Sequence, residues 1–182
     1  MSSTGRGGAT RLPNDDYQTP PPPIRALLAH VKPFGRFLEP CRGSGNILEA
    51  VRPYVTLASA FELSEGSDFL GPMVLERRYD WIITNPPFSL ACEFIERSLI
   101  LAEHVAMLLR LNFLESEERR AWWQPRLPTA LYALSQRPGF LDRHGRRVLN
   151  KHGKPGVDSC GYAWFVWSAL YQGIHVIGDP TR

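Results

Sequence analysis

Hydrophobic and polar positions along this chain follow two periods. Short apolar runs of strand length alternate with stretches whose apolar residues recur every three or four positions. The clearest run is Tyr79-Asp80-Trp81-Ile82-Ile83-Thr84, which Asn85-Pro86-Pro87 stops abruptly. Further strands are predicted at 37–38, 55–63, 104–111, 129–134 and 158–167, with 174–177 as an edge strand or C-terminal packing. A helix is predicted from about Pro23, because Ile24, Leu27, Leu28 and Val31 share one face and Pro20–Pro22 exclude an earlier start. A second helix covers 46–51. A third covers 89–102, capped by Ser89, with Leu90, Phe94 and Leu101 in line and Ala91, Ile95 and Leu99 beside them. Trp122 and Trp123 read as helix packing. Strand and helix alternate as a mostly parallel sheet requires.

Composition narrows this little: 43% hydrophobic and 21% charged residues describe an ordinary globular protein. At 182 residues the chain has the length of one domain, expected over 17–182 after a flexible tail at 1–16 with almost nothing apolar. No apolar run approaches the ~20 residues that cross a bilayer, and no signal-peptide core is present, so a cytoplasmic location is expected. Cys41, Cys92 and Cys160 lie far apart without a C-x-x-C pair, which argues against a disulfide framework or a zinc site; no metal is expected. Charge changes the picture more. The net +3 is mild, but a loop at about 137–158 carries Arg137, Arg143, His144, Arg146, Arg147, Lys151, His152 and Lys154 between glycines. Phosphate contact is the natural reading of that loop.

Two stretches carry candidate chemistry. In the first, each proline fixes its own φ and holds the preceding residue extended, so the Asn85-Pro86-Pro87-Phe88 tip is stiff. It presents one amide side chain, a carbonyl on Pro86 and one aromatic ring, a receptor suited to a flat ring bearing an exocyclic NH2. The second, Glu39-Pro40-Cys41-Arg42-Gly43-Ser44-Gly45, follows a strand and opens a helix. Gly43 and Gly45 permit positive φ and close ligand approach, as at ligand sites on the carboxyl ends of open α/β sheets. The spacing is neither that of a dinucleotide fingerprint nor that of a P-loop. Glu39 there suits a cationic ligand.

Together these motifs resemble the amino-methyltransferases, and specifically the small bacterial and phage-type adenine-N6 DNA methyltransferases. Asn-Pro-Pro-Phe is similar to their catalytic motif, and Glu-Pro-x-x-Gly-x-Gly to their cofactor loop. Tyr17-Gln18-Thr19-Pro20 resembles the segment before their first strand, and Tyr162–Trp167 their last core strand. The resemblance implies a Rossmann-like class I methyltransferase fold: a seven-stranded, mostly parallel sheet with helices on both faces and an antiparallel last strand. It implies S-adenosyl-L-methionine as cofactor, held by Tyr17, Thr19, Pro20, Glu39, Pro40, Cys41, Gly43, Gly45, Glu62, Leu63, Asp68, Phe69 and Asn85. In that set Glu62 takes the ribose and Asp68 the cofactor adenine. Catalysis would fall to Asn85, Pro86, Pro87 and Phe88, acting on adenine N6 in double-stranded DNA with the base flipped out. Arg110, Asn112 and Phe113 would line the substrate cleft, and Arg143, Arg146, Arg147, Lys151 and Lys154 would meet nucleic acid. RNA adenine, a protein glutamine amide, and non-catalytic nucleic-acid binding are the alternatives. No separate target-recognition domain fits in this length.

Overall fold

The computed structural model describes residues 17–72, 78–142, 144–149 and 160–181. The expected tail at 1–16 and the basic residues Arg143, Lys151, His152 and Lys154 lie outside the described residues. Seven strands form one sheet: β1 (Arg36–Glu39), β2 (Leu57–Ala60), β3 (Tyr79–Thr84), β4 (Ala102–Arg110), β5 (Ala130–Leu134), β6 (Tyr162–Trp167) and β7 (Gly173–Ile177). Their order is β2-β1-β3-β4-β6-β5-β7. All run the same way except β6, which is antiparallel to β4 and β5. The antiparallel strand is thus the last of the core. The chain then adds β7 as a parallel edge strand beside β5, which resolves the choice left open for 174–177.

Four helices cover the two faces: α1 (Pro21–His30), α2 (Asn46–Val51), α3 (Ala91–Leu101) and α4 (Glu117–Trp123). Pleating sends alternate residues of each strand to opposite faces. Trp81, Ile83, Ala106, Leu108, Trp164 and Val166 pack with α1 and α2. Ile82, Val105, Met107, Leu109 and Phe165 pack with α3 and Trp123. The near-continuous apolar runs of β3, β4 and β6 follow from burial on both sides.

Three local expectations are corrected. Helix α1 begins at Pro21, two residues early, with Pro20 extended at its N-cap. The first turn of a helix leaves its N–H groups without partners, so successive prolines there forfeit no hydrogen bond. The Pro23 carbonyl accepts the Trp164 indole N–H at 2.9 Å, tying that turn to β6. Ser89 does not cap α3: it sits inside a 3-10 turn, Phe88–Leu90, and Leu90 is the N-cap. Strand β2 covers only Leu57–Ala60 of the nine residues expected, since it is an edge strand with one neighbour.

The carboxyl ends of β1, β2, β3 and β4 share one edge of the sheet. Between β1 and β3 the chain's direction of travel across the sheet reverses, the place where open α/β sheets take ligands. Both candidate motifs, Glu39 onward and Asn85 onward, emerge there on adjacent strands.

Candidate active site

A cavity of about 320 Å³ opens at that reversal point. Tyr17, Thr19, Glu39, Pro40, Cys41, Gly43, Glu62, Leu63, Asp68, Phe69, Asn85 and Pro87 all line it. The glycine loop and the proline-locked tip therefore face one common space. Pro20, Gly45, Pro86 and Phe88, expected at the site, are not among the residues that line it.

The loop is built from backbone conformation. Gly43 and Gly45 take φ of +51° and +83°, which other residues adopt only with strain. Gly45 is the N-cap of α2. A Cβ at position 43 would fall 2.0 Å from the Gln18 side-chain oxygen, which accepts the Ser44 N–H. The missing side chain thus lets segment 17–19 lie directly on the loop. Asn46 completes that contact by donating from Nδ2 to the Thr19 carbonyl at 2.8 Å.

Three acids surround the space. Glu39 is 1% exposed, and its Oε2 accepts the Leu48 N–H of α2 at 2.8 Å. Burial pushes its carboxyl well above the ordinary range. The Leu48 N–H and Arg42 pull it back only in part, and Glu62 adds to the rise. Burial also acts to raise Glu62, but hydrogen bonds from Gly43 N–H (2.8 Å), Ser64 N–H (3.2 Å) and Ser64 Oγ–H (2.8 Å) outweigh it. Glu62 therefore lies below its usual value and is ionised. Asp68 accepts the Leu70 N–H at 2.9 Å within its turn. Phe69 is buried, packed 5.2 Å from Phe94 and 6.2 Å from Phe61. Burial raises the Cys41 thiol, so it remains protonated and is no nucleophile.

The tip is held from outside. Asn85 donates from Nδ2 to the Tyr17 carbonyl at 2.9 Å, which fixes the orientation of its amide. Its Oδ1 is then buried with no partner among the described residues. The opposite orientation would set two acceptors face to face. Leu90 N–H closes the following turn on the Pro87 carbonyl at 3.0 Å, leaving the Pro86 carbonyl outside that turn. Phe88 sits among Tyr17, Phe140 and Tyr162, with ring centroids 5.8–6.3 Å away. The Arg110 guanidinium lies over its ring at 4.7 Å.

The substrate-side candidates divide. Arg110, at the end of β4, joins the Phe88 group, and its Nε donates to the Tyr162 hydroxyl at 3.2 Å. Asn112 is exposed and reaches the Cys160 sulfur at 3.5 Å. Phe113 is not brought to the cavity: it packs 5.3 Å from Trp123 and 6.4 Å from Phe165, with Arg119 over its ring. Arg146 pairs with Asp142 at 2.9 Å. Arg147 lines a second cavity of about 390 Å³, walled also by Arg137 and Pro20–Pro23. The described start of the basic loop borders segment 17–19. Leu141 exchanges two backbone hydrogen bonds with Gln18, at 2.9 and 3.0 Å.

Five residues at or beside the site are among those that escaped sequence reasoning. Gln18 and Asn46 sat inside quoted motifs but were passed over. Leu90 and Phe94, spaced i and i+4 on one side of α3, read only as core yet line the cavity. Phe140 carried no signal among its charged neighbours.

No protein-family model matches the chain, and no curated protein matches it in sequence. Solved structures do. One, provisionally described as the modification subunit of a type I restriction enzyme from Vibrio vulnificus, shares 15% identity at a TM-score of 0.57. The match covers 82% of this chain and 44% of that one, so this chain spans less than half of it. A second, provisionally described as an RNA methyltransferase from Pyrococcus horikoshii, shares 12% identity at a TM-score of 0.51, covering 72% of this chain and 73% of that one. The fold is the Rossmann-like class I methyltransferase fold.

Proposed function

We propose that this protein transfers a methyl group from S-adenosylmethionine to the exocyclic N6 of adenine in DNA. The observation that carries the reading is the buried Oδ1 of Asn85, without a partner among the described residues and aimed by the bond from its amide to the Tyr17 carbonyl. A buried acceptor without a donor costs free energy unless a ligand supplies one. An aromatic amine does so.

The residues around the cavity fit the cofactor. Glu39 answers a cationic ligand, ionised Glu62 can accept from two ribose hydroxyls, and Asp68 with Leu70 borders the place for a purine. Gly43 and Ser44 border the same space, their N–H groups donated to Glu62 and Gln18. When bound, S-adenosylmethionine supplies an electrophilic methyl on a sulfonium.

The chain's own work is on the nucleophile. The adenine N6 lone pair is delocalised into the ring and attacks poorly. Asn85 Oδ1 and the Pro86 carbonyl accept its two hydrogens, which draws the nitrogen toward tetrahedral geometry. Both oxygens also favour the positive charge that grows on that nitrogen, and the prolines hold them there beforehand. Phe88 stacks on the base, which must leave the duplex to arrive. Phe88→Ala is expected to lose on the order of 1–3 kcal/mol of substrate binding. Binding of an oligonucleotide with an unpaired adenine measures this, with thermal melting as a check on the aromatic cluster.

Glu39 makes cofactor binding pH-dependent. Its carboxyl is raised in the free protein, and a neighbouring cation favours the carboxylate, so binding releases a proton. Affinity is then expected to rise as pH climbs above the ordinary carboxylate range and to level off once Glu39 is ionised beforehand. Folding stability moves the opposite way over the same window, because the folded chain retains a proton that the unfolded chain gives up. Calorimetry in buffers of differing ionisation enthalpy reads the released proton. Glu39→Gln should abolish the release, and a variant that still shows it contradicts the assignment.

A nucleic-acid substrate agrees with what both structural neighbours are described as, and with the basic loop, whose described start borders segment 17–19. One assay decides: labelled cofactor is offered to plasmid DNA, ribosomal RNA and lysate protein. Label recovered from DNA as N6-methyladenine supports the proposal. Label in RNA or protein alone overturns it.

A further inference from the structure

The Phe88 ring, to which the proposed function assigns the target base, already carries a flat group. Tyr17, Phe140 and Tyr162 meet it at interplanar angles of 32°, 66° and 49°, so none stacks flat upon it. Arg110 does lie over the ring face, 4.7 Å from its centroid. Its guanidinium is planar, delocalised and weakly hydrated, the side chain closest in shape and polarisability to a nucleobase. The Tyr162 hydroxyl, accepting from Nε at 3.2 Å, holds it in place. Tyr162 is itself buried on β6, directly opposite Arg110 in the ladder.

We infer that Arg110 is a placeholder for the target base: it covers Phe88 while the site is empty, and an arriving nucleotide exchanges with it. The exchange is matched in chemistry. The base takes the ring face, and the displaced cation meets a phosphate of the same strand. Arg110 thereby keeps the ring from collapsing onto its neighbours, and it links base arrival to backbone contact. The inference rests on the proposed function, since it requires that a base reach Phe88.

Removing the guanidinium should therefore act in opposite directions on the two halves of a nucleotide. The base alone is probed with 9-methyladenine, which carries no phosphate, in the presence of saturating S-adenosylhomocysteine to fill the cofactor cavity. Binding is followed by the ring-current shift of its protons. Arg110→Ala is expected to bind it about threefold more tightly than the wild type, because a half-buried cation–π contact no longer competes. The same variant should bind a single-stranded oligonucleotide more weakly, with its salt slope reduced by about one phosphate. Tyr162→Phe, which keeps the ring and loses only the hydroxyl, should tighten base binding to a smaller degree and leave the salt slope unchanged. Equal or weaker base binding by Arg110→Ala, in a protein whose wild type methylates DNA, overturns the placeholder and leaves the proposed function standing. A wild type that binds neither the base nor an oligonucleotide overturns both.

Discussion

Asn85→Ala is expected to bind S-adenosylmethionine nearly as the wild type does and to transfer methyl groups about 100- to 1,000-fold more slowly. The size follows from what one preorganised hydrogen-bond partner contributes at a centre where charge develops, about 2.7–4 kcal/mol. Its direction follows from geometry. The amide is fixed by its bond to the Tyr17 carbonyl, and the oxygen left over is buried without a partner among the described residues. Alanine removes that oxygen and the tie to Tyr17 but leaves Glu39, Glu62 and the glycine loop untouched. Calorimetry with the cofactor and a tritium-transfer assay on DNA separate the two effects. A variant that turns over within tenfold of the wild type ends the proposed mechanism.

The second large effect has the reverse signature. Glu62→Ala should raise the dissociation constant for S-adenosylmethionine on the order of 10- to 100-fold, while turnover at saturating cofactor stays within a few-fold. Hydrogen bonds to a charged acceptor contribute about 1.5–3 kcal/mol each way they are counted, and a ribose edge offers two hydroxyls. Glu62 is ionised because Gly43 N–H and both donors of Ser64 hold its oxygens, so it accepts and cannot donate. The same bond to Gly43 steadies the loop, and its loss adds to the effect. An unchanged dissociation constant would place the ribose elsewhere. Taken together, the two variants test the proposed division of the cavity, with the cofactor on one side and activation of the acceptor on the other.

The parts of this site readable beforehand are those where chemistry lies in local sequence. Asn85-Pro86-Pro87 constrains its own backbone through ring geometry, so its stiffness needs no tertiary information. Gly43 and Gly45 announced a turn that other residues resist, and both hold positive φ. Of the acids that follow β1 and β2, Glu39 was singled out by its place before the glycine loop and Glu62 through the family resemblance, and both line the cavity. Local rules failed where two readings were equally allowed. Pro21 and Pro22 can open a helix or precede one, and the docking of Ile24, Leu27 and Leu28 on the sheet decides for the helix. Phe113 was as plausible in the cleft as in the core, and Trp123 and Phe165 claimed it.

What the linear chain determined, then, is the succession of strands and helices, two turns with special backbone demands and the chemical character of each. Periodicity and backbone sterics act within a few residues and leave their mark in any short window. Only the tertiary structure decided that Tyr17 would orient the Asn85 amide, that Gln18 would pair with Leu141, and that Arg110 would lie on Phe88. Those contacts join residues from 22 to 123 positions apart, and they exist because a parallel sheet brings the carboxyl ends of distant strands to one edge. No local preference encodes such a meeting, since each partner is satisfied by many others until the sheet order selects one.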